Sequence, residues 1–394
     1  TMKFNRYQLS HYFVFLISLI ILLIAFSTKI FKKQLNNKNV ILYGHKLYGN
    51  LKAIYENKSD INSEVFYLTL DKKYYDSLKQ ENINSLYGLR LKDVFKVVNC
   101  KVFICDHGLH FYKILMSLKN IIFVDTNHGI PYHKDAFNGI EYFSKFNHVW
   151  LMSHYHEELF KKFKFTGNNT EVTGYGRLDD LIQFSNKNED EKNKIIDDLK
   201  NEYDLNFENI ILMAPTWVHN HKVLNNKKYP YNKLEFFKEL NLIMDEVNSL
   251  LIYRPHINDT ISKEINDYIH SSKNLDIKEF KNYTNTEDFL KLSDILITDW
   301  SSIALDYIIL DRPVLFLDSP NPFKDGVQDD EMLRFGEIVS QNQIKDKINA
   351  YISNADFYFE KNINQKKVKE KFHDIGLDGY STKRYIENIN RYLT

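Results

Sequence analysis

The stretch Ser293-Asp294-Ile295-Leu296-Ile297-Thr298-Asp299-Trp300-Ser301-Ser302-Ile303-Ala304-Leu305-Asp306-Tyr307 decides the fold. Its apolar run, Ile295 to Ile297, has no polar alternation, which marks a strand covered on both faces, as in a parallel sheet. A polar turn follows, and Ile303-Ala304-Leu305 then resume a pattern suited to a helix. Ligands of such folds bind beyond the carboxyl ends of the strands. The turn therefore holds the first candidates. Asp299 is read as the helix N-cap, with Ser301 and Ser302 in the first turn, where backbone N–H groups without intrahelical partners collect. A helix start of this kind binds phosphate through those groups and the helix dipole. Thr298 closes the strand and is counted with the substrate-binding residues. Asp306, one turn later, would accept hydrogen bonds from a ribose hydroxyl or simply stabilise the helix. The pattern is not a Walker A loop, since no Gly-Lys-Ser/Thr is present. The competing reading is an ordinary capping box.

The same alternation of short apolar runs and helical stretches extends in both directions. Ile210 to Ala214, Leu250 to Arg254, Leu275 to Ile277 and Pro313 to Phe316 read as strands of one series. Val40 to Tyr43, Val65 to Leu70, Val102 to Cys105, Ile121 to Val124 and His148 to Met152 make an earlier one. The charged segment Glu189 to Asp204 lies between them and reads as a surface helix at the junction. At 394 residues the chain exceeds what one core usually supports. The expectation is an α/β protein of two Rossmann-like domains, residues 37–186 and 187–394, facing each other across a cleft. Residues 341–392 read as helices that pack back across the lobes.

Composition excludes some classes. Lys+Arg and Asp+Glu are 52 each, so nothing in the net charge points to a nucleic-acid partner. The two cysteines, Cys100 and Cys105, are too few for a disulfide framework or a zinc site. Near the N-terminus, His11 to Phe31 is apolar enough to be read as an uncleaved transmembrane anchor within residues 1–36. A cleaved signal peptide is the rival reading, but Ala25-Phe26-Ser27 is a poor cleavage site. The basic excess after the segment (Lys29, Lys32, Lys33 and Lys38) places the catalytic domains on the cytoplasmic side of a single-pass inner-membrane protein.

Four further motifs sit at strand ends. Asn127-His128-Gly129-Ile130-Pro131 places an imidazole on a turn bounded by Gly129 and Pro131, both substrate-binding candidates. Imidazole suits the deprotonation of a hydroxyl at neutral pH; the alternative is a histidine that holds the turn together. Gly174-Tyr175-Gly176-Arg177-Leu178-Asp179 offers Arg177 as a fork donor to phosphate, or a surface ion pair. Ala214-Pro215-Thr216-Trp217 offers Thr216 as a ligand contact or helix cap. Tyr253-Arg254-Pro255-His256 offers Arg254 and His256 as phosphate donors, or a turn with a satisfied histidine.

In order along the chain, the pieces NHGIP, GYGRLDD, APTW, RPH, SDILITDWSSIALDY and DRPVLF resemble the CDP-glycerol glycerophosphotransferase family of teichoic acid and capsule synthesis. Ile130 stands where that family usually has Thr. The resemblance implies a GT-B type fold, with residues 37–186 as the acceptor domain and residues 187–394 as the nucleotide-binding domain, and an enzyme that moves glycerol phosphate from CDP-glycerol to a hydroxyl of a membrane-linked glycan or poly(glycerol phosphate), releasing CMP. It implies His128 as base, with His256, Arg177 and the Ser301-Ser302 helix start on the phosphates. Beyond the CDP-activated donor and a lipid-linked or polymeric acceptor, no cofactor and no metal is expected. The alternatives are a GT-B glycosyltransferase using a nucleotide-sugar and a related CDP-ribitol phosphotransferase. The sequence does not set the oligomeric state.

Overall fold

The computed structural model describes residues 9–31, 38–118, 120–127, 129, 140–216, 233–256, 259–323 and 330–394. The chain divides into two compact units. The first holds strands β1 (Val40–Tyr43), β2 (Val65–Thr69), β3 (Ser85–Tyr87), β4 (Val102–Cys105), β5 (Ile122–Asp125), β6 (His148–Leu151) and β7 (Thr170–Val172). All pairs are parallel, in the order β3-β2-β1-β4-β5-β6-β7. The second unit holds β8 (Asn209–Met213), β9 (Ser249–Tyr253), β10 (Leu275–Ile277), β11 (Ile295–Thr298), β12 (Val314–Leu317) and β13 (Glu337–Val339). These are parallel too, in the order β10-β9-β8-β11-β12-β13.

Each sheet starts in its middle and grows first one way, then the other. The reversal lies between β1 and β4 in the first unit, and between β8 and β11 in the second. Connections leave opposite faces on either side of such a point, so a crevice opens there at the carboxyl edge. The central strands are buried along their whole length, which is why they read as unbroken apolar runs. β3 and β13 are three-residue edge strands that the sequence pattern did not single out.

The final helix, Ser381–Leu393, belongs to the first unit, which comprises Thr1–Ile130, Gly139–Asp179 and Ile375–Thr394. Tyr385, Ile386, Ile389, Tyr392 and Leu393 join the core formed by β1, β4 and Trp150. The Tyr385 ring stacks on Trp150 at 4.5 Å and 11°. Asp179 fastens the start of this helix: its carboxylate accepts from the backbone N–H of Ser381 at 3.0 Å and of Thr382 at 2.6 Å. The division at 186/187 expected from chain order therefore leaves out a returning segment.

The expected transmembrane anchor does not stand. Among the described residues no helix is long and apolar enough to cross a membrane. The segment forms a helix, Leu9–Phe31, that packs against the helix Leu91–Val98 of the same unit. Ser18, Leu22 and Ala25 are buried, at the spacing of four and three residues by which a helix docks one stripe on its own domain. The apolar run is in part a packing stripe, and a hydropathy reading does not distinguish the two uses. The single-pass topology and the orientation taken from the basic flanks fall with it.

Candidate functional site

In the second unit the switch point brings together the ends of β8 and β11. Thr216, half-buried, donates its backbone N–H to Asp299 Oδ1 at 2.7 Å. Asp299 is fully buried; its carboxylate ties the two loops and does not cap the following helix. That helix is Ile303–Tyr307, with Ser302 at its N-cap position. The cap expected at Asp299 is thus displaced by three residues, because the buried carboxylate meets the neighbouring loop first. Thr298 turns its hydroxyl to the carbonyl of Ala214 at 2.7 Å, a second cross-link between β8 and β11. Trp300 is buried, with its indole N–H on the Ser319 carbonyl at 3.1 Å and the Arg334 guanidinium 4.6 Å above its ring. With its neighbours held this way, Ser302 is left exposed and Ser301 and Asp306 half-buried at the carboxyl edge.

The end of β9 contributes His256, which is exposed. Its carbonyl accepts from the Asp259 N–H at 2.8 Å, closing a tight turn. Burial lifts the Asp259 carboxyl to about 6; the backbone N–H of His256 opposes the rise and the charge of Asp299 adds to it. Asp259 is thus a second acid facing Asp299, and no motif in the sequence singled it out. Arg254 turns inward: it donates to the carbonyls of Lys278 and Tyr283 and to the Thr286 hydroxyl, at 3.0, 2.8 and 2.8 Å. Its guanidinium lies over Phe280 and Phe289, and burial lowers its pKa to about 10. These contacts make it a clamp on the loop after β10.

In the first unit, the turn after β5 is anchored from three sides. His128, Ile130 and Pro131 lie outside the described residues; Asn127, next to His128 in sequence, has a left-handed backbone with φ of 52°. The Asn127 N–H donates to Asp125 Oδ1 at 2.8 Å, and its side-chain amide donates to the Trp150 carbonyl at 3.3 Å. Gly129, on the far side of His128, has nothing within 4 Å of where a Cβ would sit. Asn50, buried at the start of the helix Gly49–Glu56, reaches the same turn. Its amide donates to the carbonyls of Thr126 and Asn127 at 3.4 and 3.2 Å, and its oxygen accepts the Arg177 N–H at 3.2 Å. One side chain thus joins the loops after β1, β5 and β7. Burial pushes the Asp125 carboxyl up to about 7, against the pull of the Asn127 N–H and the Cys105 thiol and with a further push from Asp106.

The switch point of this sheet was not singled out by the motifs. It gathers His45 and Tyr48 after β1 with Asp106, His107 and His110 after β4. Gly44-His45 and Asp106-His107-Gly108 carry the polar strand-end signature of Asp299-Trp300-Ser301, but only the strand order makes them neighbours.

Comparison with known proteins places this architecture. The family model described as CDP-Glycerol:Poly(glycerophosphate) glycerophosphotransferase matches residues 24–390. A teichoic acid poly(glycerol phosphate) polymerase of Bacillus spizizenii is 28% identical over 307 residues, covering 71% of this chain and 74% of the relative. A teichoic acid glycerol-phosphate transferase of Staphylococcus aureus is 22% identical, covering 72% and 75%. Among solved structures, the wall teichoic acid polymerase TagF superposes with a TM-score of 0.73 at 16% identity, over 95% of this chain and 94% of that one. A UDP-GlcNAc 2-epimerase of Neisseria meningitidis gives 0.58 at 13%, over 90% and 99%.

Proposed function

Since the chain belongs to the CDP-glycerol:poly(glycerophosphate) glycerophosphotransferase family, we propose that it transfers glycerol phosphate from CDP-glycerol to a hydroxyl of a membrane-linked glycan or poly(glycerol phosphate), releasing CMP. The observation that supports this most is the carboxyl edge of the second unit. There Ser301, Ser302, Thr216 and His256 are set around a β8/β11 junction cross-linked by Asp299 and Thr298, where a doubly wound sheet takes its nucleotide.

In the proposed reaction an acceptor hydroxyl attacks the glycerol-bearing phosphorus of CDP-glycerol. A new P–O bond forms, the bond to the bridging oxygen breaks, and CMP departs with that oxygen. His128 takes the proton of the attacking hydroxyl. His256 and the N–H and hydroxyl groups of Ser301 and Ser302 offset the charge spreading over the phosphates. Arg177, half-buried in the first unit, supplies a phosphate-binding guanidinium there. Asp306 holds the ribose.

The test is to offer purified protein CDP-glycerol, CDP-ribitol and UDP-sugars with lipid-linked acceptors. Acceptor-dependent CMP release from CDP-glycerol is expected, lost in His128→Ala while nucleotide binding persists. UDP release, CMP release only from CDP-ribitol, or binding without turnover would overturn the reading. Near-normal turnover by His128→Ala would remove the base.

A further inference from the structure

The turn that carries Ser301 and Ser302 leads into a helix of only five residues, Ile303–Tyr307. A helix so short is marginal on its own, so its neighbours must set where the two serines lie. The Ser301 and Ser302 carbonyls accept from Ala304 and Leu305 at 3.3 and 3.0 Å, which closes the first turn. On the strand side, Asp299 and Thr298 tie the turn to the loop after β8. The large side chain of the turn is Trp300, directly before Ser301 and 5% exposed. Its indole N–H donates to the Ser319 carbonyl at 3.1 Å, which fixes one edge of the ring. The Arg334 guanidinium covers a face, with Cζ 4.6 Å from the ring centroid.

Arg334 is itself held in place. It stands between the helix Asp330–Leu333 and β13. Its Nη2 donates to the carbonyl of Leu317, the last residue of β12, at 2.7 Å. Its Cζ lies 5.7 Å from the Phe316 ring. The next residue, Phe335, is buried and meets Phe316 edge-on at 5.5 Å and 88°. Gly336 follows, packed so closely that a Cβ there would collide with the Val314 carbonyl oxygen. The backbone after Arg334 therefore has little room to shift, and the guanidinium bolts the end of β12 to the Trp300 ring. Its Nε is shut off from solvent, so the head group is turned into the protein. A planar guanidinium lies flat on an indole while its edge donates to a carbonyl; a lysine ammonium does not do both.

We infer that Arg334 is a positioning residue: by clamping Trp300 to the end of β12, it sets the direction in which Ser301 and Ser302 present their N–H and hydroxyl groups to the donor's phosphates. None of the sequence motifs contains it. The inference rests on the glycerophosphotransfer reading, which puts those phosphates on the two serines. In this role Arg334 touches no reacting atom and acts through Trp300. Two consequences set it apart from its rivals. A direct charge contact with phosphate would survive in lysine, whereas a stacked clamp does not. Plain packing would weaken every ligand alike, whereas positioning weakens those that carry phosphate.

The test measures binding of cytidine and CDP to the full chain by saturation-transfer NMR, and turnover of CDP-glycerol. Arg334→Ala is expected to weaken CDP about tenfold and to leave cytidine within twofold of the parent. Arg334→Lys should fall within twofold of Arg334→Ala. In both variants kcat should drop about a hundredfold, as for a shift of about 1 Å at a reacting group, with KM for the acceptor unchanged within twofold. In a Trp300→Leu background, Arg334→Ala should weaken CDP by less than threefold further, because the face it covers is gone. Parental CDP binding in Arg334→Lys overturns the inference. So does an equal loss on cytidine and CDP, or a full tenfold loss in the Trp300→Leu background. The lysine variant keeps the charge and most of the side chain, so it reads the clamp even where the alanine variant folds poorly. A parent chain that binds CDP with these losses in the variants, yet releases no CMP from CDP-glycerol, leaves the clamp standing and removes the proposed reaction; a parent that does not bind CDP removes both.

Discussion

Asp125 is three residues before the proposed base, and among the described residues no cation is one of the groups that shift its carboxyl. It is buried at 1% exposure, accepts the Asn127 N–H at 2.8 Å, and has the Cys105 thiol 3.4 Å away. Two hydrogen bonds do not replace the lost water, so its carboxyl is lifted to about 7. In an unfolded chain the value is about 3.9. Between those values the folded protein holds a proton that the unfolded chain has released. Stability from this group is therefore whole below about pH 4, falls as pH rises, and is gone above about pH 7. The gap of about 3 units corresponds to roughly 4 kcal/mol, at about 1.36 kcal/mol per unit. About two-thirds of it, near 2.7 kcal/mol, lies between pH 5 and pH 8. Asp125→Asn keeps an oxygen for the Asn127 N–H and never ionises. Amide hydrogen exchange in β4 and β5, corrected for intrinsic rates, should show the variant gaining about a hundredfold in protection over the parent between pH 5 and pH 8. A parent-to-variant difference that stays flat across that range refutes the argument.

Two other substitutions separate positioning from packing. Asn50→Ala removes the link between the Asn127 turn and the Arg177 loop; kcat should fall about a hundredfold, since a shift of about 1 Å at a reacting group costs that much, while KM for CDP-glycerol stays within twofold. Steady-state kinetics decide it, and an unchanged kcat counts against any positioning role. Asp179→Ala removes two charge-assisted bonds from the start of the helix Ser381–Leu393. The loss is roughly 1.5–3 kcal/mol for each bond, read as faster hydrogen exchange confined at first to that helix; uniform exchange across both units would show that the helix is not fastened there.

Much of this was legible in the sequence, because a buried parallel strand has a plain signature. β1, β4, β8, β9 and β11 are mainly apolar runs without alternation, followed within three residues by Gly44, Asp106, Thr216, His256 and Asp299. Three residues offer too few positions for any period: β10 was read, while β3 and β13, equally short, went unread. The direction in which a polar side chain turns was not legible either. Arg254 and His256 are two residues apart, yet one is buried in a clamp on carbonyl oxygens and the other is exposed. Asp299 looked like a helix cap because caps and loop ties use the same residue type; only the approach of Thr216 tells them apart. The N-terminal helix was misread for the same reason, since burial against protein and burial in lipid ask for the same side chains.

The short helix after β11 bears on where the proposed phosphate binding would have to come from. A helix dipole grows with the number of aligned peptide units, and Ile303–Tyr307 has only five residues before the chain tightens into the 3-10 turn Ile308–Leu310. Little of the attraction can therefore be long-range. It has to come from individual donors at hydrogen-bond distance: the first-turn N–H groups, the hydroxyls of Ser301 and Ser302, and His256. Asp299 is fully buried and tied to the Thr216 loop, and Asp259 is half-buried with its carboxyl lifted to about 6 by burial and by Asp299. The second unit thus offers hydrogen-bond donors beside an acid tied to the neighbouring loop, which suits a ligand charged along its length.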